Sequence, residues 1–286
     1  MKDENLANII RSRAFKSLFP DDTPYYGLAS DQVATLEKSL PLSALAIEIA
    51  ALENDIIPER YVRNFKAFSY QDQIALLKSI VAIIGLGGLG GGVVEILARI
   101  GIGTLILIDG DIFEETNLNR QMLSTHNGIG TSKAVAAEQR VKKINSSVTT
   151  IIYKEFLDQQ NGPSMLAEAN VIVDCLDSIT TRLMVQEIAN KLQKPLVSSA
   201  LAGSSGQVTT ILPGDKGLTL IYGEQTRQSS KGAEKSLGCL PQAVTMLSAL
   251  ECSEVVKVLL NRGALLRNRL LIVDLHSNDF EIMHLL

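Results

Sequence analysis

The sequence predicts an α/β fold, a doubly wound, Rossmann-like and mostly parallel sheet with antiparallel C-terminal strands and a small helical N-terminal appendage. Three observations carry this. A glycine motif sits between a strand pattern and a helix pattern, further short apolar runs alternate with helical stretches, and the last third of the chain changes to alternating strands. On this reading residues 1–57 form the appendage and residues 58–286 the main domain.

The organising stretch is Ile80–Asp111. Ile80–Ile84 is apolar and rich in β-branched residues, as a buried parallel strand requires. Gly85, Gly87 and Gly90 fit G-x-G-x-x-G, and Val93, Val94, Leu97 and Ile100 follow at helical spacing. A second strand, Thr104–Ile108, ends in Asp109, about twenty residues after the last glycine of the motif. Gly85 and Gly87 permit a tight turn and close approach to a phosphate, and Gly90 permits close helix–strand packing. Asp109 is placed to accept from ribose hydroxyls. The first turn of the helix offers unpaired N–H groups to an anion. A nucleotide site is the reading that accounts for all four features.

Before this unit, Leu6, Ile9 and Ile10 suggest a short amphipathic helix, and the PDDTPYYG stretch reads as a loop. Ser30–Leu40 and Ser43–Asn54 read as helices capped by Ser30 and Ser43. These residues form either a packed appendage, the preferred reading, or a clamp for a partner peptide. Arg60–Phe65, RYVRNF, reads by itself as a polar linker with a packing tyrosine, and a helix over Gln71–Ser79 leads into the first strand.

After Asp109 come Asp111 and a polar loop with Asn117 and Arg120. A helix follows, capped by Thr131 or Ser132, with Lys133 in its first turn. A lysine there opposes the helix dipole at a cost of about 0.3–1 kcal/mol, which points to a nearby anion. Val148–Tyr153 and Asn170–Cys175 are further strands, the latter leading to Asp174 and Asp177. A helix over Ser178–Leu192 and a strand over Pro195–Ser199 complete the parallel part. Gly206–Pro213 alternates as an antiparallel strand, Gly214–Gly238 reads as a lid, Gln242–Leu260 as a long helix, and Arg269–Leu275 with Asp279–Leu285 as a hairpin.

Composition narrows the class. Hydrophobic residues make up 46% and charged residues 20%, as in globular domains. A net charge of −4 without a basic cluster argues against nucleic acid as partner. No apolar stretch is long enough to span a membrane, and the first residues lack the apolar core of a secretory signal. Cys175, Cys239 and Cys252 show no pairing pattern and suit a cytoplasmic location. His126, His276 and His284 share no metal-ligand spacing.

The equipment around the loop exceeds what a dehydrogenase needs. Asn117, Arg120 and Lys133 supply more cationic and polar groups than a diphosphate requires, and no histidine–carboxylate pair for hydride transfer is evident. Asp177, at the mouth of another strand, is placed to hold Mg²⁺ against a triphosphate. Together these describe nucleotidyl transfer, in which positioning and charge stabilisation do most of the catalysis.

Five motifs, GLGGLG, Asp109/Asp111, TNLNRQML (Thr116–Leu123), GTSK (Gly130–Lys133) and DCLDS (Asp174–Ser178), resemble in order and spacing those of the ThiF/MoeB/HesA adenylyltransferases, bacterial relatives of ubiquitin-activating enzymes. RYVRN is similar to that family's R-Y-x-R-Q, and the likeness runs over about residues 58–286. The resemblance implies adenylation, with ATP and Mg²⁺, of the C-terminal carboxylate of a ubiquitin-like sulfur-carrier protein by a homodimer. It implies Asp109 on the ribose, Asn117, Arg120 and Lys133 on the phosphates, Asp177 on Mg²⁺ or the attacking carboxylate, and Arg63 reaching the neighbouring subunit's ATP. Arg182 matches a recurrent arginine that braces the Asp177 loop. The chain departs from the family in having no C-x-x-C pair, so no zinc is expected; Thr219 and Tyr222 stand where the first pair falls. The family's lid cysteine falls near Glu234 and is missing, with Cys239 the nearest thiol. The alternatives are a peptide-adenylating enzyme of the microcin C type, a tRNA-modifying dehydratase of the same superfamily, and a catalytically silent ThiF-like partner.

Overall fold

In a computed structural model, which describes residues 3–223 and 234–286, the expected architecture is present with one addition. The strands are β1 (Phe15–Leu18), β2 (Pro24–Leu28), β3 (Ile56–Pro58), β4 (Ile80–Ile84), β5 (Thr104–Ile108), β6 (Thr149–Tyr153), β7 (Val171–Asp174), β8 (Leu196–Ala202), β9 (Ser205–Ile211), β10 (Arg269–Asp274) and β11 (Asp279–His284). The helices are α1 (Asp3–Arg13), α2 (Ser30–Ser39), α3 (Ala44–Leu52), α4 (Tyr70–Leu77), α5 (Gly88–Ile100), α6 (Lys133–Ile144), α7 (Gly162–Leu166), α8 (Ile179–Lys191), α9 (Thr219–Tyr222), α10 (Glu234–Leu237) and α11 (Pro241–Leu260). Among the described residues no helix is long and apolar enough to cross a membrane.

The main sheet has eight strands in the order β11, β10, β9, β8, β7, β4, β5, β6. β6, β5, β4, β7 and β8 run parallel, whereas β8–β9, β9–β10 and β10–β11 are antiparallel. Strand alternation divides the core in two. Val81 and Ile83 face a layer that includes Val93 and Leu97 of α5, Val141 of α6 and Leu247 of α11. Ala82 and Ile84 face Leu166 of α7 and Val185 and Ile188 of α8. The chain leaves β4 for β5 on one side and returns to β7 on the other. The carboxyl ends of β4 and β7 therefore flank the topological switch point where such sheets bind ligands.

The addition is in the first 58 residues. Beyond the expected helices, β1, β2 and β3 form a separate three-stranded sheet. Pro24–Leu28, read from sequence as part of a loop, is its central strand, because Tyr25 and Leu28 are buried between the helices and the main domain. Ser43 caps α3 as expected, accepting from the Ala46 N–H. Ser30 does not cap α2; Ala29 occupies that position. Ser30 instead accepts from the Arg60 guanidinium at 3.1 Å.

RYVRN is a 3₁₀ turn, Glu59–Asn64, that ties this unit to the main domain. Tyr61 is fully buried, its hydroxyl donating to Glu48 at 3.1 Å and accepting from Asn145, just past the end of α6, at 2.8 Å. Arg60 reaches Asn145 and lies 3.6 Å from Glu48. Asn64 and Gln73 donate to the carbonyl of Ile100, satisfying the end of α5, while the left-handed Gly101 leaves room for the Tyr61 ring.

Gly90 is the tightest packing point of the nucleotide unit. A Cβ at this position would lie 1.8 Å from the Gly85 carbonyl oxygen, so α5 reaches β4 only because Gly90 has none. Gly90→Ala is expected to push α5 outward and destabilise the fold by about 1–3 kcal/mol or more, read as a lower midpoint in thermal denaturation. An unchanged midpoint would contradict this contact.

Candidate functional site

At the switch point a cleft of about 860 Å³ opens between the glycine turn and the strand ends. Gly85, Gly87, Asp109, Asp111, Arg120, Lys133 and Asp177, remote from one another in sequence, all line it. Gly85 takes a φ of +88°, and a Cβ there would come within 2.8 Å of the Cys175 carbonyl. At Gly87 the nearest atom to an added Cβ is the Gln121 amide at 3.5 Å, so the space over the N-terminus of α5 is open on that side.

Asp109 is more committed than the sequence implies. Its Oδ2 accepts from the Leu86 N–H at 2.7 Å and its Oδ1 from the Asp111 N–H at 2.8 Å. The acid thus locks the glycine turn to the end of β5, and any ribose contact adds to that work. Lys133 is buried at the start of α6, and its ammonium is 3.0 Å from Asp111. The anion that its place in the first turn demands is therefore present within the chain. Arg120 is half-buried; Nη1 donates to the Thr116 carbonyl at 2.8 Å and to Asn119 at 3.0 Å. Among the described residues it pairs with no carboxylate.

Three predicted site residues lie elsewhere. Gly90 acts from beneath the cleft, in packing. Asn117 is buried as a capping residue, accepting from the Glu114 N–H at 3.0 Å, and does not line the cleft. Arg63 is exposed, outside the cleft of its own chain, without a hydrogen bond or ion pair among the described residues. Cys239 lines the cleft, and its backbone bridges to Gly203. Thr219 and Tyr222 belong to α9, where the Tyr222 hydroxyl accepts from Gln207 at 2.9 Å. Of the segment read as a lid, residues 224–233 lie outside the described residues.

The structure adds groups that sequence reading passed over. Gln121 is buried in the cleft wall, and its Oε1 has no partner among the described residues. It follows Arg120 directly, so its place in TNLNRQML was the available signal. Phe156 lays its ring on Gly110, where an added Cβ would meet the ring at 2.8 Å, and is otherwise 68% exposed in the cleft. Behind the Asp177 loop is a buried cluster. Arg182 donates to Asp174 at 3.2 Å, to the Ser199 carbonyl at 2.7 Å and to the Leu176 carbonyl, while the Leu176 N–H donates to Asp174 at 3.1 Å. This arginine braces the loop. Asp177 itself is exposed and makes no hydrogen bond among the described residues.

Glu251 of α11 completes the cluster, fully buried, with one oxygen accepting from the Cys175 thiol at 3.6 Å and the other without a partner among the described residues. Burial first, and then the neighbouring Asp174, push its carboxyl well above the usual range, against the opposing pull of Arg182. Burial likewise raises the Cys175 and Cys252 thiols, which makes them packing groups rather than nucleophiles.

The lining of the cleft fits a nucleoside triphosphate. The open glycine turn and helix terminus suit phosphate oxygens, Arg120 and Lys133 supply positive charge, and Ile108, Phe156 and Leu157 form an apolar wall for a base. Among the described residues no three His, Cys, Asp or Glu side chains are grouped to cage a metal. Mg²⁺ held by one carboxylate and the substrate's phosphates needs no such cage, and Asp177 fits that role.

Comparison with known proteins gives the family and the fold. Residues 59–285 match the ThiF family. The SAMP-activating enzyme E1 of Haloferax volcanii is 30% identical over 211 residues, covering 74% of this chain and 78% of that protein. The adenylyltransferase and sulfurtransferase MOCS3 of Drosophila virilis is 30% identical over 283 residues, covering 98% of this chain; the chain spans only 59% of that protein's length. Among solved structures, E. coli MccB with MccA-N7isoASN superposes with a TM-score of 0.69 at 20% identity, covering 88% of this chain and 82% of that one. The last likeness is one of fold.

The buried Glu251 predicts a pH dependence. Because its carboxyl titrates higher when folded than when unfolded, its neutral form contributes fully below the unfolded pKa of about 4.3, and stability falls as pH rises from there toward the folded value. Glu251→Gln keeps an acceptor for Cys175 but removes the titration. Its stability advantage over the wild type is therefore expected to grow from pH 5 to pH 8, with a limiting slope of about 1.4 kcal/mol per pH unit. Denaturant midpoints across that range check it; parallel pH curves for the two proteins would contradict it.

Proposed function

The chain belongs to the ThiF family, and we propose on that premise that it is an ATP-dependent adenylyltransferase that activates the C-terminal carboxylate of a ubiquitin-like sulfur-carrier protein. The observation that carries the reading is the convergence, in one cleft at the switch point, of the glycine turn, Arg120, Lys133 and Asp177.

In the reaction a carboxylate oxygen of the acceptor attacks the α-phosphorus of ATP. The bond to the β-phosphate oxygen breaks, and pyrophosphate leaves with the bonding electrons, giving an acyl-adenylate. No proton transfer is needed at the attacking oxygen, so the protein's task is to orient two anions and offset their repulsion. Gly85, Gly87 and the N-terminus of α5 receive phosphate oxygens. Arg120 and Lys133 neutralise charge on the leaving pyrophosphate, Lys133 exchanging part of its contact with Asp111 for the phosphates. Asp109 and Asp111 are assigned to the ribose side, and Asn117 supports the phosphate side by fixing the turn that leads to Arg120. Asp177 would hold Mg²⁺, which would supply further charge neutralisation. Arg63, exposed and unengaged in its own chain, is assigned to the neighbouring site of a homodimer. Three free cysteines suit a cytoplasmic setting.

ATP–pyrophosphate exchange with Mg²⁺ tests the reading, using a panel of Gly-Gly-ending carrier proteins and short peptides. Exchange with a carrier supports it; exchange with peptides alone would favour the peptide-adenylating alternative. Asp177→Ala is expected to reduce exchange by about a hundredfold or more while leaving the thermal midpoint within about 2 °C; normal turnover would remove Asp177 from the mechanism. Arg63→Ala mixed with Asp177→Ala should recover part of the activity through hybrid sites. No recovery in a verified heterodimer would rule out sharing of Arg63.

A further inference from the structure

The phosphate chemistry occupies the polar part of the cleft and gives no task to the open ring of Phe156. β6 ends at Tyr153, and the loop that follows holds Phe156 in a fixed attitude. Leu157, 7% exposed, is anchored among the core residues of α7 and α8 and fixes the chain on one side. The Phe156 carbonyl accepts from the Asn161 amide at 3.0 Å, and Asn161 Oδ1 in turn accepts from the Asp158 N–H at 2.7 Å. The ring rests on Gly110. A Cβ built at Gly110 would lie 2.8, 2.9 and 2.9 Å from three adjacent ring atoms. A point so nearly equidistant from three neighbouring atoms lies over the face of the ring, not beyond its edge. One face of Phe156 is thus covered by backbone, and a side chain at position 110 would displace it. The other face is open, and the residue is 68% exposed in the cleft. Around it Ile108 and Leu157 are apolar, both Asp109 oxygens accept from backbone N–H groups, and Glu155 accepts from Asn161 at 3.3 Å.

We propose that Phe156, seated on Gly110, is the platform on which the base of the nucleotide stacks, and that this pair selects purine over pyrimidine triphosphates. The assignment rests on the adenylation reading, because it takes the phosphates to lie at the glycine turn. Gly110 directly follows Asp109, the residue assigned to the ribose, so the ring stands where a base attached to that ribose would continue. Stacking on an aromatic face needs no hydrogen bond from a side chain, and it strengthens with the area of overlap. The two fused rings of a purine cover a phenyl ring more fully than the single ring of a pyrimidine. Burial of a ring that is otherwise open to water adds a hydrophobic contribution. The loop already holds the ring before a ligand arrives, which lowers the ordering cost of the contact. Arg120 and Lys133 answer to phosphates, which are alike in every triphosphate. Phe156 is therefore the side chain that responds to the base.

Isothermal titration calorimetry on the full chain with ATP, CTP and tripolyphosphate, each with Mg²⁺, separates the base from the phosphates. The wild type is expected to bind ATP about tenfold or more tightly than CTP. Phe156→Ala is expected to weaken ATP by about tenfold or more, to narrow the ratio of ATP to CTP affinity, and to leave tripolyphosphate within about twofold. The chain contains no tryptophan, so Phe156→Trp places a single fluorophore on the platform. Its emission is expected to change on addition of ATP and not on addition of tripolyphosphate. The platform is overturned by equal ATP affinity in the wild type and Phe156→Ala, by an equal loss of tripolyphosphate binding in that variant, or by Phe156→Trp emission that ATP leaves unchanged while calorimetry shows it bound. Each of these leaves the adenylation reading standing, because the wild type still binds ATP. A wild-type chain that binds none of the three ligands overturns both.

Discussion

The approach of α5 to the ends of β4 and β7 is the contact on which the rest of the molecule depends. Gly85 turns left-handed against the Cys175 carbonyl, and Gly90 lies against the Gly85 carbonyl, with no space for a Cβ at either position. This closeness brings the unpaired N–H groups of α5 to the mouth of the switch point. Asp109 completes the arrangement by tying the turn's Leu86 N–H to the start of the following loop. One constraint therefore fixes the glycine turn and also the loop that brings Asp111 and Arg120 to the cleft.

Charge in the cleft is graded by commitment. Asp174 and Arg182 are buried and spent on each other and on the backbone that leads to Asp177. Lys133 is held by the more exposed Asp111, a pairing with high-dielectric surroundings on one side and therefore exchangeable for a phosphate. Arg120 is steered by neutral acceptors, which orient it without neutralising it. Asp177 has no such restraint on its side chain. The groups nearest to the expected chemistry are thus the least satisfied within the chain, and their supports are the most buried, as a preorganised site for anionic substrates requires.

Much of this was legible in the sequence because the relevant signals are local. Strand β4, the glycine turn, helix α5 and Asp109 occur within about thirty residues and follow one physical pattern. The later strands and helices appear near their expected positions, since buried parallel strands read as short apolar runs. The N-terminal sheet was hidden because its middle strand, PYYGL, carries proline and glycine and is buried by tertiary contacts. Asp109 read as a ligand group alone because nothing in a one-dimensional spacing reveals that backbone donors converge on it. Asn117 showed its type and not its direction. Glu251 looked like one more polar residue on a long helix, and only its complete burial beside Asp174 gives it significance. Contacts made across the fold are what sequence periodicity cannot resolve.

The Glu59–Asn64 turn links the two halves of the molecule in a way that bears on Arg63. Arg60 and Tyr61 are held by Glu48 on one side and Asn145 on the other, and Asn64 is fixed to the end of α5. Of the turn's long polar side chains, Arg63 alone projects outward without a partner among the described residues. With the backbone held on both sides, the cost left for fixing Arg63 on any partner is its own rotamer freedom, up to about 2 kcal/mol. The N-terminal unit holds this turn through Glu48 and Ser30. The appendage is therefore structurally continuous with the main domain: the segment that anchors it also carries Arg63, which is exposed and lies outside the chain's own cleft.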